Sequence, residues 1–297
     1  MVAIHMQYRT GALMVIFAGF LWSWQPLIIR NIDHAGSWTI LTWRSLALAA
    51  ILTGVLVARS GRNGLHKLKK LGVSSVIGAI GLFVAMGGSI FAFQNTTTAN
   101  AAFILAASPF ITAILARIVL NERVCSKTWI AIVLAIFGIF IMVRGDLGNG
   151  AMLGNLAAMS ANLGFAAFSI SLRFQKGDDS LPTVILGAGV SALGGALIAV
   201  FLDQTISVTG HDLLLCTLMG TLTMGIGMVL YSHGSKVVPS AELTLFSGAE
   251  VILSPLWVWL LIGESANIAT LVGGTIVLFA ILFNAYSGMS RAIPALG

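Results

Sequence analysis

Charge is what this sequence has least of. Asp, Glu, Lys and Arg make up 9% of 297 residues, where a water-soluble domain carries about a quarter. An ordinary soluble globule is therefore excluded. Cysteine is almost as scarce: Cys125 and Cys216 are the only two. They are expected toward opposite ends of the molecule, too far apart to bridge, so a disulfide framework is excluded as well. Catalytic signatures are missing. No P-loop, H-E-x-x-H or G-x-S-x-G occurs, which removes ATP hydrolysis, zinc proteolysis and a hydrolase elbow, and no cofactor or metal is expected. "GAGVSA" at 187–192 fits a dinucleotide pattern, but it lies in an apolar run with no strand before it. "NTT" at 95–97 is a sequon pressed against helix ends. All five His fall at the ends of apolar runs or between them.

What is abundant is apolar length. Hydrophobic residues reach 58% and the mean hydropathy is +0.98. Runs long enough to cross roughly 30 Å of hydrocarbon, about 20 residues each, recur throughout. Ten are expected, at about 10–30, 37–58, 71–93, 97–120, 128–144, 151–173, 182–202, 212–233, 238–262 and 267–287. They are continuous rather than alternating, which excludes a membrane β-barrel. The expectation is an all-α integral membrane protein with ten transmembrane helices. The first run continues past "FLWSWQP" with no small-residue cleavage site, so it reads as a mature helix and not a signal peptide.

The formal net charge of +6 would raise the question of nucleic acid in a soluble protein. Its distribution points elsewhere. With both termini in the cytoplasm, thirteen of the sixteen basic residues face inward, Arg30 and Arg144 lie outside and Arg44 lies within a span. That asymmetry sets the orientation by the positive-inside rule. "RSGRNGLHKLKK" at 59–70 reads as a cytoplasmic topology anchor. Arg44, seven residues into its span, is expected to snorkel outward.

The chain also repeats itself. "GALMVIFAGFLWSWQPLIIR" (11–30) lies over "GNLAAMSANLGFAAFSISLR" (154–173), pairing Arg30 with Arg173; "SPFITAILARIVLNE" (108–122) lies over "EVILSPLWVWLLIGE" (250–264), pairing Glu122 with Glu264. Both offsets, 143 and 142, place helix ends on helix ends. Two units follow, 1–146 and 147–297, with five spans each. An odd number of spans inverts the second copy, an arrangement common in secondary transporters.

The two five-span units, Pro109 inside the fourth span, "LNE" at 120–122, "IGE" at 262–264 and "AEV" at 249–251 resemble the drug/metabolite transporter superfamily, EamA type. Within it the chain looks most similar to the YddG-type exporters of aromatic amino acids. The resemblance implies export of small organic solutes, most readily amino acids, by alternating access across a bacterial-type cytoplasmic membrane. In the family Pro often follows the Glu of the second copy directly. Here Val251 follows and Pro255 comes one turn later, which predicts a kink displaced toward the outside.

At a rise of about 1.5 Å per residue, Ser108, Asn162 and Glu250 fall roughly 17–18 Å into their spans, near the midplane. Polar side chains at that depth face the bundle interior, so the first, fourth, sixth and ninth spans are expected to line a common cavity. Helical spacing places Leu243, Phe246, Ser247, Glu250, Ser254 and Trp257 on one stripe and Asn100, Phe103, Ile104, Ala107 and Ser108 on another. Glu250, Asn162 and Gln25 or His233 are candidates for a solute's polar head; Trp22, Phe165, Phe168 and Tyr231 for its body. The alternatives are a Glu250 protonated and bonded to a neighbouring helix, and an Asn162 acting as interhelical glue. Trp24, Trp38, Trp43 and Trp259 suit an interfacial belt, with only Trp22 and Trp257 spaced to reach the cavity. Pro26, Pro109 and Pro255 are candidate hinges or static kinks. The expected partners are a small-molecule substrate, the lipid bilayer and protons, without nucleic acid. A broad exporter of drugs or cationic metabolites is the rival reading. An intramembrane enzyme would need a Ser/His, paired-Asp or metal constellation at one depth, and the sequence offers none.

Overall fold

The computed structural model describes residues 8–61, 68, 71–121, 124–145, 151–174, 180–235, 237–238 and 246–292. Glu122, Leu243 and most of the basic cluster lie outside them. Among the described residues the chain is helical, with no strand. The helices are α1 (Tyr8–Ser23), α2 (Gln25–Arg30), α3 (Ser37–Ser60), α4 (Val73–Asn95), α5 (Thr98–Ala106), α6 (Ser108–Val119), α7 (Ser126–Gly145) and α8 (Met152–Phe174). After them come α9 (Leu181–Phe201), α10 (Gly210–Leu218), a π-helical stretch Met219–Ile226, α11 (Gly227–Gly234), α12 (Ala249–Ile262) and α13 (Ile268–Ala292).

Nine helical stretches in this set are long and apolar enough to cross a membrane, and α12 is a shorter apolar helix of 14 residues. The chain is a multi-pass membrane protein. Its outward faces agree: Leu193, Leu197, Val200 and Phe201 of α9 stand exposed, side chains that hydrocarbon accommodates and water does not.

Proline explains two breaks within spans. Pro26 has no N–H and its ring collides with the carbonyl four residues back, so α1 ends at Ser23 and α2 restarts at Gln25. Pro109 does the same between α5 and α6, with Ala107 at the junction. The ninth span differs from expectation. Pro255 sits inside an uninterrupted α12, and the chain turns at Gly248, ahead of Glu250. The break is therefore on the near side of the carboxylate and is not displaced past it. Gly263, at φ 79°, then caps α12 in the left-handed conformation that glycine adopts without strain.

Small residues let helices close on one another. Gly81 and Gly164 bring α4 and α8 together so tightly that a Cβ on Gly164 would stand 2.6 Å from the backbone of both Ala85 and Gly81. Gly138 and Gly273 do the same for α7 and α13. Without a hydrophobic drive between helices in lipid, such close approach supplies the packing energy. Phe103 and Phe168 belong to these seams: Phe103 covers Gly274 of α13, and Phe168 is buried with Leu82 and Met86.

Arg44 overturns its expectation. It is 2% exposed and does not snorkel. The π-helical stretch lies against α3 here, with Gly220 on the carbonyl of Arg44 and Gly225 on Ile51, and the buried guanidinium reaches Gln25 of α2 instead of water.

Candidate functional site

Three polar or aromatic side chains, one from each of three helices, gather near the break in the first span. Trp22 of α1 faces Tyr231 of α11 with ring centroids 5.4 Å apart. The indole Nε1 of Trp22 is buried and has no hydrogen-bond partner. Tyr231 in turn lies within electrostatic reach of Glu250. Glu250 occupies the first turn of α12, where the helix dipole favours a carboxylate. Among the described residues no hydrogen bond or ion pair reaches that carboxylate.

Beside this group an aromatic wall closes the other flank of α12. Trp24 stacks on Trp257 at 5.2 Å, and Phe20 meets Trp257 edge-on at 6.2 Å. The indole of Trp257 donates to Ser23 Oγ at 2.9 Å, whose hydroxyl donates onward to Phe20 O at 2.7 Å. Trp24 thus joins Trp257 and is no isolated belt residue. Its signal was available, since Phe20 and Trp24 are one helical turn apart. Gln25 turns the opposite way and accepts from Arg44 Nη1 at 3.3 Å. Phe246 packs with Ala12 and Val15, and the backbone of Ser247 abuts Gly19. Ser254 is buried in α12.

The fourth span contributes through its break. Ser108 opens α6 as Glu250 opens α12, so the two positions paired by the repeat both stand at the N-terminus of a half-helix. The hydroxyl of Ser108 is buried and unpartnered. Asn162 of α8 donates to Ile104 O at 2.7 Å, a bond that ties α8 to α5 just before the break. Asn100 is fully buried and donates to Asn155 of α8. Asn155 was not anticipated; an amide within an apolar run, seven residues before Asn162, was the available signal. Phe165 is 45% exposed and touches Phe168 at 6.1 Å. His233 sits with Arg59, 3.0 Å from its guanidinium.

One end of the bundle is tied by charge. Arg30 of α2 has Nε 2.8 Å from Glu264, beyond the end of α12, and its Nη2 donates to Thr96 O at 2.7 Å. Glu264 also accepts from the backbone N–H of Thr98, the first residue of α5, at 2.5 Å. Three spans are thereby joined through one carboxylate.

Known proteins resemble this chain over nearly its full length. The sequence pattern of the EamA-like transporter family matches residues 9–144 and again 152–286. The chain is 22% identical over 250 residues to "Uncharacterized transporter YyaM" of Bacillus subtilis (strain 168), covering 81% of each. It is 26% identical over 251 residues to "Protein RarD" of Salmonella typhi, covering 82% of this chain and 78% of that one. A crystal structure of a protein 18% identical superposes with a TM-score of 0.67 over 93% of this chain and 97% of the other, which establishes a shared fold.

Proposed function

The chain belongs to the EamA-like transporter family, and from that premise we propose that it is a secondary transporter exporting small organic solutes, aromatic amino acids foremost. Transport runs across the cytoplasmic membrane by alternating access between two inverted five-helix repeats, 1–146 and 147–297. The observation that carries the reading is the pairing of Ser108 and Glu250 at the starts of two half-helices, each beside a break. Half-helix N-termini at the midplane are where such folds hold the charged groups of their solutes.

The chemistry divides naturally. The N-terminus of α6 presents a partial positive charge with the unpartnered hydroxyl of Ser108 beside it, suited to a carboxylate. Glu250, with no cation paired to it among the described residues, suits an ammonium group. Trp22, Tyr231, Trp257 and the neighbouring Phe246 supply apolar faces for an aromatic body. Pro26 and Pro109, at the junctions α1–α2 and α5–α6, are hinges of the proposed motion, and Pro255, which removes a backbone hydrogen bond inside α12, is a third.

The rival reading, export of drugs or cationic metabolites, is favoured by a different observation: a carboxylate beside Tyr231 with no basic side chain paired to it among the described residues also suits a lone cation. Purified protein in liposomes separates the two. Accelerated phenylalanine or tryptophan flux, lowered by Glu250→Gln with folded yield intact, supports the amino-acid reading. Flux of cationic drugs with none for any amino acid refutes it. Repeating the panel with and without a pH gradient reports whether protons are coupled.

A further inference from the structure

We propose that a cavity at the Arg30 end of the bundle is a second solute site, which takes a zwitterionic amino acid by its carboxylate and ammonium groups. The inference rests on the amino-acid reading above but on different residues. The cavity has a volume of about 460 Å³, and Arg30, Ser37, Phe91, Gln94, Asn95 and Gln204 are among its lining. Ligand pockets run from about 300 to 1,000 Å³, so the volume admits a single amino acid.

The polar groups of the lining fall into two sets. Ser37 and Gln94 are occupied with one another, and Gln94 Nε2 donates to Ala35 O at 3.3 Å. Asn95 Nδ2 donates to Phe91 O at 2.8 Å. These bonds fix the wall. The remaining capacity is of two opposite kinds. Arg30 commits Nε to Glu264 and Nη2 to Thr96, and its third nitrogen, Nη1, makes no hydrogen bond among the described residues. Gln204 presents a buried Oε1 with no donor. A guanidinium edge recognises a carboxylate, and an unpaired buried acceptor recognises an N–H. Phe91 adds an apolar side chain to the same lining. A cation lacking the carboxylate would reach Gln204 Oε1 only against the repulsion of an unneutralised Arg30 edge, so this site favours zwitterions even where Glu250 alone would not. A solute carboxylate on Arg30 also competes with Glu264, which loosens the tie between α2, α5 and the end of α12 when the cavity fills.

The test is cysteine protection in detergent-purified protein, with Cys125→Ser and Cys216→Ala as background and Asn95→Cys as the reporter. Phenylalanine at roughly ten times its dissociation constant leaves about a tenth of sites open, so maleimide labelling should slow by about tenfold. Phenylalaninamide, which has no carboxylate, should give no protection, and Gln204→Leu should abolish that given by phenylalanine. Ser37→Cys supplies a second reporter should the first variant fold poorly. Phenylalanine uptake into liposomes is measured on the same preparations. Uptake without protection at either reporter refutes the second site and leaves the transport reading standing. Equal protection by the amide refutes carboxylate recognition by Arg30. Protection without uptake keeps the site and overturns the transport reading.

Discussion

Replacing Gly164 by Ala tests the close α4–α8 seam that positions Asn155 and Asn162. The added Cβ would stand 2.6 Å from Ala85 N and Gly81 O and 2.9 Å from Val84 Cβ. Ordinary contact begins near 3.4 Å, so the helices must part by about 0.8 Å, the difference of the two distances. The nearest obstacles are backbone atoms and cannot rotate away. Overpacking of this kind costs about 1–3 kcal/mol, against a gain of about 1 kcal/mol from alanine's helix propensity. Gly189→Ala is the matched control, because nothing lies within 4 Å of a Cβ there and it collects the propensity gain alone. The two variants should therefore differ by about 1–3 kcal/mol, or roughly 2–5 °C in melting temperature for a chain of this length, read by thermal unfolding in detergent. Flux should fall with Gly164→Ala, since moving α8 strains the 2.7 Å bond from Asn162 to Ile104. Equal melting temperatures would refute the argument that backbone contact sets this seam.

Two further outcomes are expected. Arg44→Met should leave the melting temperature unchanged or raise it, because Nε and Nη2 are buried without partners and apolar replacement of poorly paired buried charge is often neutral or stabilising by about 1–4 kcal/mol; a loss of several degrees would mean that the guanidinium holds the fold. Asn100→Leu and Asn155→Leu, measured singly and together, should show a coupling of about 0.6 kcal/mol and at most about 1.7 kcal/mol; strict additivity of the two unfolding free energies would show that their hydrogen bond contributes nothing.

The helical class and the breaks at Pro26 and Pro109 were legible because hydropathy and proline act locally. The site was legible only where depth decides. The repeat placed Ser108 and Glu250 at equivalent positions, and both stand at helix starts. Rotation about the helix axis was harder to read. Phe103 and Phe168 share stripes with polar residues, yet they pack into glycine seams whose partners lie in distant segments. Arg44 was placed by its distance from a helix end, a rule that presumes an open route to water. Helix packing closes that route, leaving Arg44 2% exposed and bonded to Gln25, and the residues around Arg44 do not announce it.

The π-helical stretch of the eighth span bears on how Trp22 meets Tyr231. A turn closed five residues apart carries one residue more than α geometry needs, so Tyr231, downstream of Met219–Ile226, is set about 100° around the axis from where an unbroken α-helix would put it. An eighth span one residue shorter would close as a plain α-helix and leave Tyr231 facing Trp22, whereas the same residues wound wholly as α-helix would turn it away. The winding of a segment that touches neither ring therefore decides whether the two meet, with every amino acid at the site unaltered.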